Sequence, residues 1–243
     1  MVGKIIILPF ILISIGLILY DLYTGESHII AILIFISLTV AAITMRHWVD
    51  EKWYQKNSLE LGQYETQWLE RFFPQFQKMP DSRKSEFKKA LATEVFLKEY
   101  IPMGLEAIPE ELKLMALAPA VLLELDSSKA LLKHYNRIVY YKHPFLTPDI
   151  QTIHISETHH DDGVVILCIE LLQASYINPS KFMNPALYEW CEIALNNDYK
   201  KIPVHEVDVH QIEEKLGMSI AEIENYFGKK VNVKILSKYI EYC

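Results

Sequence analysis

Two long runs without charged residues mark the start of the chain. They are Ile5–Tyr20 ("IIILPFILISIGLILY") and Ile29–Met45 ("IIAILIFISLTVAAITM"). A helix needs about 20 mostly apolar residues to cross a bilayer, with a range near 17–25. Aromatic residues typical of a membrane interface flank the runs at Tyr20, Tyr23 and Trp48. The pattern predicts that residues 1–48 form a transmembrane hairpin with spans at about 5–20 and 29–45.

Two interpretations without a membrane hairpin fit the runs less well. A signal peptide followed by a core helix would need a small-residue cleavage site after the first run, and none follows it. A pair of helices in a soluble protein would show a polar face, which both runs lack. The hairpin therefore remains the preferred interpretation.

The charges around the runs predict an orientation. The connection Asp21–His28 carries Asp21 and Glu26 but no Lys or Arg. Basic residues lie on the other side of the spans, at Lys4, Arg46, Lys52 and Lys56. Because positive residues stay on the cytoplasmic side, both ends of the hairpin are expected inside. The expected location is the inner (cytoplasmic) membrane, with the rest of the chain facing the cytoplasm.

After the hairpin, helical periodicity dominates the first half of the chain. Residues 49–63 are mostly polar and predict a helical linker, and residues 64–243 are enough for one domain. Apolar residues recur at helical spacing in Tyr64–Phe76, and Pro74 marks a stop. A second amphipathic helix starts at Pro80-Asp81-Ser82, and a third covers Leu112–Leu125.

The pattern then changes to short β-type segments. Three strands are predicted at Arg137–Tyr141, Thr152–Ser156 and Gly163–Ile169, with a turn at His159–Gly163. A helix follows Pro179, and three short helices are expected around Val209–Leu216, Ser219–Phe227 and Val233–Tyr242. Helices, a small sheet and more helices in that order predict an α+β fold.

Composition and the absence of certain motifs exclude several classes of function. The formal net charge of -7 argues against a nucleic-acid partner, because binders of nucleic acid usually carry a basic patch. Three cysteines, an odd number without a Cys-x-x-Cys pair, argue against a disulfide framework and fit a reducing compartment. No glycine-rich phosphate loop and no Gly-x-Ser-x-Gly elbow is present.

Four segments in this order resemble the Mlc titration factor A family of zinc-dependent peptidases. They are "LERFFPQFQKMPDSRKSEFKKALATEVFLKEY", "IPEELKLMALAPAVLLEL", "YNRIVYYKHPF", and "GVVILCIE" followed by "NPALYEWCEIAL". The resemblance covers roughly Tyr64–Leu195 and implies a zincin-like metallopeptidase-type domain. In that family an Asn-x-x-x-His-Glu-x-x-His helix holds zinc through its two histidines, a carboxylate from a later helix completes the site, and the glutamate acts on the zinc-bound water.

The resemblance places the zinc helix at "NPALYEWCEIAL", but both histidines are replaced. Asn184 matches the family's asparagine and Glu189 matches the catalytic glutamate. Tyr188 stands at the first histidine and Glu192 at the second. A neutral tyrosine is a poor zinc ligand, and a lone glutamate does not make a tight site. No metal or other cofactor is therefore expected, and zinc only if an active enzyme uses unusual ligands.

Other residues remain candidates for a rebuilt site. The carboxylate from a later helix is open among Glu206, Glu213, Glu214, Glu222 and Glu224. Among the other histidines, a site rebuilt from His154, His160 or His205 stays open. The adjacent His159 and His160 suit a turn better than a chelate, and His210 lies in the tail. The simpler interpretation is solvated or packed histidines. Cys191 is a candidate nucleophile without an identified base, and a buried free cysteine is the simpler interpretation. Asp161-Asp162 could take a cation, although a polar turn explains the pair.

The preferred hypothesis is a membrane-anchored, catalytically inactive peptidase-like domain that binds an unknown protein partner or regulates one. Its second partner is the lipid bilayer, through residues 5–45. One alternative is an active zinc-dependent peptidase, with Glu189 as the catalytic residue. Another is a membrane-assembly protein whose function lies in the hairpin, with the domain as a scaffold. In every case "NPALYEWCEIAL" is expected to form a core helix that buries Leu187, Trp190, Cys191 and Ala194.

Overall fold

A computed structural model describes residues 2–25, 27–57, 59–127, 131–196 and 208–243 of the chain. The chain divides into two compact units, Met1–Leu59 and Glu60–Cys243. Each unit is described by itself. Two of the candidate ligands, His205 and Glu206, lie outside the described residues.

The N-terminal unit is a pair of helices, α1 (Val2–Thr24) and α2 (Ile29–Lys56). Both helices are long and apolar enough to cross a membrane, over Ile5–Thr24 and Ile29–Arg46. Only 6% and 0% of these windows are buried, so neither helix is the core of the described protein. This agrees with the predicted spans. The side of the membrane and the compartment remain predictions.

A hydrogen-bonded turn joins the two helices. Gly25 ends α1 with a φ of 71°, a conformation that glycine adopts without strain. The Asp21 carboxylate then accepts two hydrogen bonds from His28, one from the backbone N–H at 2.8 Å and one from Nδ1 at 2.6 Å. The short polar connection seen in the sequence is thus long enough to reverse the chain. Helix α2 runs on through the first half of the predicted linker, whereas residues 59–62 are not helical.

In the C-terminal unit, four helices precede most of the sheet. They are α3 (Gln63–Phe72), α4 (Pro74–Gln77), α5 (Asp81–Leu97) and α6 (Glu110–Ser127). Pro74 separates α3 from α4, as its sequence position predicted. The most buried of the four is α6, in which every residue from Leu112 to Leu123 except Lys113 is buried.

Pro119 lies inside α6 and leaves a backbone carbonyl without its helical donor. A proline has no N–H, so the Met115 carbonyl four residues earlier loses that hydrogen bond. The Tyr176 hydroxyl donates to this carbonyl at 2.8 Å. On the next residue, the Ala116 carbonyl accepts a hydrogen bond from Nε1 of Trp190 at 2.8 Å. Hydrogen bonds at the proline thus connect two aromatic side chains from later helices, Tyr176 and Trp190, to the backbone of α6.

The sheet has four strands in the order β1-β2-β4-β3. The strands are β1 (Glu99–Met103), β2 (Arg137–Tyr141), β3 (Ser156–His159) and β4 (Val164–Cys168). The pairs β1–β2 and β2–β4 are parallel, whereas β3 is antiparallel to β4. Consequently β3 is an edge strand, and residues of this strand line the cleft described below.

Two strand predictions were wrong. β1 was missed, because no strand was predicted between the second and third helices, but its backbone pairs with β2, from Glu99↔Arg137 to Met103↔Tyr141. The segment 152–156 is not a strand except at its last residue, because its backbone bonds elsewhere. His154 forms an isolated bridge with Phe145, and Ile155 donates from its N–H to the Phe227 carbonyl.

Five helices complete the unit: α7 (Ile169–Ile177), α8 (Pro185–Asn196), α9 (Val209–Leu216), α10 (Ile220–Phe227) and α11 (Val233–Tyr239). The three tail helices were predicted within a few residues, and α7 was missed. Ser219 and Glu222 form a capping box at the start of α10. Gly228 ends α10 in the left-handed conformation. The C-terminal unit is therefore a mixed fold of helices and a small sheet, as predicted at that level.

Candidate functional site

The candidate site is built on helix α8, and Asn184 starts that helix. The Asn184 Oδ1 accepts a hydrogen bond from the Leu187 backbone N–H at 3.1 Å, which satisfies one of the free donors of the first turn. Its own backbone N–H donates to the Tyr239 hydroxyl at 2.7 Å. Asn184 therefore has a capping role that needs no metal.

Helix α8 lies in the middle of the core. Its predicted inward residues Leu187, Trp190, Cys191 and Ala194 are all buried, which confirms the core-helix prediction. Burial also raises the pKa of the Cys191 thiol well above its usual value, so this cysteine is held as the neutral thiol. Cys191 is thus a packing residue in a setting that disfavours nucleophilic chemistry.

The Glu189 carboxylate is completely buried, and three side chains donate to it. Oε1 lies 2.6 Å from the Ser156 Oγ and 2.6 Å from the Lys229 Nζ, while Oε2 lies 2.8 Å from the Thr158 Oγ1. The exposed fraction of Glu189 is 0%, and that of the Lys229 side chain is 11%. A buried carboxylate is costly unless it is paired and hydrogen-bonded, and both conditions are met here.

Tyr188 faces Lys229 and the end of α10. Its ring lies 4.4 Å from the Phe227 ring, and the Lys229 Nζ lies 5.3 Å from the Tyr188 ring centroid. The Tyr188 hydroxyl accepts a hydrogen bond from the Asn232 backbone N–H at 3.3 Å. Burial raises the pKa of Tyr188, so the neutral phenol is the stable form and the oxygen is a poor metal ligand.

Glu192 lies one turn further along α8 and is half-buried. Burial and the neighbouring Glu189 carboxylate raise the pKa of Glu192 to about 7, although Lys229 opposes this shift. One carboxylate oxygen lies 3.8 Å from the His160 Nε2. Near neutral pH this side chain therefore exchanges a proton, and it is not a permanently charged ligand.

His160 was one of the candidate substitute ligands, and its ring has other partners. Nδ1 lies 2.7 Å from the Tyr135 hydroxyl, and Nε2 lies 2.9 Å from the Asn196 Nδ2. An amide NH2 group can only donate, so Nε2 is the acceptor and the proton is on Nδ1. Burial lowers the pKa of His160, which favours this neutral tautomer. The lone pair on Nε2, the His160 nitrogen nearest to Glu192, therefore already accepts a hydrogen bond from Asn196 and is not free to bind a metal.

A cleft of about 560 Å³ opens beside these side chains. Its walls come from the loop before β3, from β3 itself, from α8 and from the segment after α10. The lining residues include Asp149, Gln151, Thr152, Glu157, Thr158, Tyr188, Glu192, Asn196, Lys229 and Asn232. The cleft has a size typical of ligand sites, and its lining is more polar than is usual for a small-molecule pocket.

The glutamates proposed as a later ligand have other roles where the structure describes them. Glu213 accepts from the Ile220 backbone N–H, Glu222 belongs to the capping box, and Glu224 pairs with Lys230 at 2.7 Å. Glu214 is exposed on α9. Among the described residues, the group that reaches Glu189 from the tail is a lysine.

Sequence reasoning missed Lys229, Ser156 and Thr158. The only local signal is the "GKK" that follows α10, and a lysine after a helix is usually solvated. Lys229 is 40 residues from Glu189 in the chain, and tertiary contacts of the end of α10 with Tyr188 and Ile155 bring the two together. Ser156 and Thr158 lie on the same face of a strand only because β3 spans Ser156–His159, and this range was not predicted from the sequence.

The comparisons with known proteins add no identification. No protein-family model, no curated protein and no solved structure matches the chain. The resemblance to zinc-dependent peptidases therefore stays a prediction that rests on the residues of the four segments.

Proposed function

We propose that the C-terminal unit is a catalytically inactive, peptidase-like domain that is held at the cytoplasmic membrane by the hairpin and binds or regulates a partner protein. The observation that carries this proposal is the ion pair between Glu189 and Lys229 at 2.6 Å. An ammonium group lies beside the one catalytic residue that the predicted motif retains.

This ion pair argues against the role of Glu189 in a zinc peptidase. A general base needs a free lone pair within reach of the water that it deprotonates. Glu189 has no exposed surface, and both of its oxygens accept hydrogen bonds from neighbouring side chains. The Lys229 ammonium supplies the positive charge that a metal would otherwise supply to this carboxylate. The neutral Tyr188 phenol supports the same conclusion, since it is a poor ligand.

The cleft supports a binding function. β3 is the edge strand of the sheet, and Glu157 and Thr158 from this strand line the cleft. An edge strand can pair with an extended segment of another protein through its backbone, while pockets beside it select side chains. The loss of catalysis at Glu189 leaves this surface intact, so a domain of this kind can keep a peptide-binding cleft without cleaving the peptide.

The test compares variants of the full chain in cells whose own copy of the gene is deleted. Glu189→Gln keeps the shape of the side chain but leaves Lys229 without its charge partner, so it is expected to rescue the deletion in proportion to the amount of folded protein. Gln151→Trp places a large side chain on the exposed wall of the cleft and is expected to abolish the rescue. Lys89→Trp is the matched control, because Lys89 is exposed on α5, away from the cleft lining.

The alternatives predict different outcomes of the same experiment. An active peptidase loses the rescue with Glu189→Gln, and the purified protein then shows cleavage that depends on Glu189. If the protein is a membrane-assembly protein, residues 1–59 alone rescue the deletion, and Gln151→Trp does not reduce the rescue by the full chain. Either result would overturn the proposal.

A further inference from the structure

A second group of ionisable side chains lies on the other face of β3. Glu157 and His159 are two residues apart on this strand, so both side chains leave the same face. Asp149 comes from the loop between β2 and β3. One ligand atom from each of the three residues lies within 4.8 Å of the other two.

The separations within this group are longer than ordinary hydrogen bonds. The His159 Nε2 lies 3.4 Å from the Glu157 Oε1, and the His159 Nδ1 lies 3.4 Å from the Asp149 Oδ2. Hydrogen bonds from nitrogen to oxygen are usually about 2.7–3.2 Å long. Ligands bound to Zn²⁺ at about 2.0–2.2 Å in a tetrahedron lie roughly 3.3–3.6 Å apart. The two carboxylates lie beside different nitrogens of His159, so an ion bound to one nitrogen requires a side-chain rotation that brings the second carboxylate to it. One ligand atom of each residue already lies within 4.8 Å of the other two, which keeps this rotation small.

A buried histidine orients the Glu157 carboxylate. The exposed fraction of Glu157 is 5%, and that of His154 is 0%. The His154 Nε2 lies 3.1 Å from the Glu157 Oε2, and the His154 Nδ1 lies 2.8 Å from the Thr152 carbonyl oxygen. Metal-binding carboxylates are commonly oriented by residues that do not touch the metal, and the contact with His154 can orient Glu157 in this way. Because His154 contacts Oε2, the other oxygen of Glu157 is the one that lies beside His159.

This group faces away from the Glu189 carboxylate, although Asp149 and Glu157 line the same cleft as Tyr188 and Glu192. Ser156 and Thr158 direct their hydroxyls to Glu189, so the residues between and after them, Glu157 and His159, leave the opposite face of β3. An ion bound by Glu157 and His159 would therefore not act on a water held by Glu189. It would instead connect the strand to the loop that carries Asp149.

We propose that Asp149, Glu157 and His159 bind a divalent transition-metal ion, with Zn²⁺ as the representative, and that His154 is a positioning residue for Glu157. One imidazole and two carboxylates form a donor set that suits first-row divalent ions and leaves a coordination position for water. The Asp149–Thr152 segment forms one wall of the cleft. The ion thus holds this wall against β3, and metal binding stabilises the shape of the cleft.

The test is zinc titration by calorimetry of the detergent-purified full chain, freed of any affinity tag and stripped with a chelator. Wild type is expected to bind one Zn²⁺ per chain, and Mg²⁺ at the same concentrations is expected not to compete. His159→Ala is expected to abolish the binding, and Asp149→Asn to weaken it by at least about 10-fold. His154→Gln is expected to weaken it by about 10–100-fold, as for other residues that orient a ligand.

His143→Ala is the matched control. The His143 Nδ1 lies 3.1 Å from the Glu170 Oε2 in an exposed pair, and no third ligand joins the pair among the described residues, so this variant is expected to bind zinc as wild type does. Circular dichroism checks the fold of every variant. Asp149 is exposed, with 69% of its side chain accessible, so Asp149→Asn keeps the test decisive even where His159→Ala fails to fold.

Two results would overturn the proposal. One is that the wild-type protein binds no more zinc than the His159→Ala or Asp149→Asn variant. The other is zinc binding that survives in both of these variants but is lost in Glu192→Ala. That second result would place the ion at helix α8 and would also argue against an inactive domain, so the two proposals fail in distinguishable ways.

Discussion

The Lys229 ammonium lies 2.6 Å from the Oε1 of Glu189, in the core of the C-terminal unit. Ser156 and Thr158 complete the hydrogen bonds of the carboxylate. Removal of one partner of such a buried pair leaves an uncompensated charge, which usually costs about 3–5 kcal/mol. We expect Lys229→Met to lower the free energy of unfolding by that amount in urea titrations of the purified protein.

Lys230→Ala is the control for this prediction. The neighbouring Lys230 pairs with Glu224 at 2.7 Å, but 91% of its side chain is exposed. Exposed ion pairs contribute about 0–1 kcal/mol, so this variant is expected to stay close to wild type. Glu189→Gln added to Lys229→Met should recover part of the loss, because it removes the unpaired charge. A Lys229→Met variant as stable as Lys230→Ala would contradict the prediction.

The raised pKa of Glu192 makes stability depend on pH. The pKa lies at about 7 in the folded protein, against a usual 4.5. The folded state therefore holds the proton more tightly, and the free energy of unfolding falls as pH rises from about 4.5 to about 7. The groups that face Glu192 are Glu189, Lys229 and His160. We expect Glu192→Gln to remove about 1–3 kcal/mol of this pH dependence and to stabilise the protein above pH 7.

The measurement is a set of urea titrations between pH 4.5 and 8. Glu214→Gln is the control, since Glu214 is exposed on α9 and its variant should retain the slope of wild type. The lowered pKa of His160 acts in the opposite direction, because neutral His160 is favoured in the folded state as pH rises. It is present in both proteins, so the difference between wild type and Glu192→Gln isolates the carboxyl group. Equal slopes in these two proteins would show that Glu192 titrates normally.

Gly228 places Lys229 beside Glu189 and has no room for a side chain. Its φ is 71°, and a Cβ there would lie 1.9 Å from the Ile153 carbonyl oxygen. Gly217 has a φ of 65° but nothing within 4 Å of the same position. We expect Gly217→Ala to cost about 1–2 kcal/mol, for the left-handed conformation alone. Gly228→Ala should cost about 3 kcal/mol or more in thermal and urea unfolding, since the backbone must also move.

The consequences of Gly228→Ala should extend to the cleft. The Gly228 carbonyl accepts a hydrogen bond from the Thr152 Oγ1 at 2.7 Å, and the Phe227 carbonyl accepts from the Ile155 N–H at 3.2 Å. A shift of this backbone therefore displaces the loop before β3. If the two glycine variants are equally stable, the close approach at Gly228 is not important for the fold.

Much of the fold follows from local physics that a sequence displays. The two charge-free runs are long enough for spans whatever follows them, and the structure forms helices over both. Helix starts and ends were readable where one residue determines them. Pro74 breaks a helix, and Gly217 and Gly228 end two others. Buried positions on α8 followed from its apolar residues.

Strand pairing depended on distant partners and was predicted less well. Glu99–Met103 reads as the end of an amphipathic helix, but its partner β2 begins 38 residues after it does, at Arg137. The alternation in Thr152–Ser156 is typical of a strand, yet the backbone groups of His154 and Ile155 bond to Phe145 and Phe227. Strand assignment depends on which backbone edge is free, and a single segment cannot show that.

By itself the sequence determined where a hairpin could span a membrane, which helix could carry a peptidase-like motif, and that both histidine positions of that motif are occupied by other residues. Only the tertiary structure decided the state of the glutamate that remains. Glu189 is paired with Lys229 and hydrogen-bonded to Ser156 and Thr158, which come from the segment after α10 and from β3. The physical reason is burial: in a site without water, the nearest donors and charges govern a carboxylate, and folding alone brings Lys229 to it.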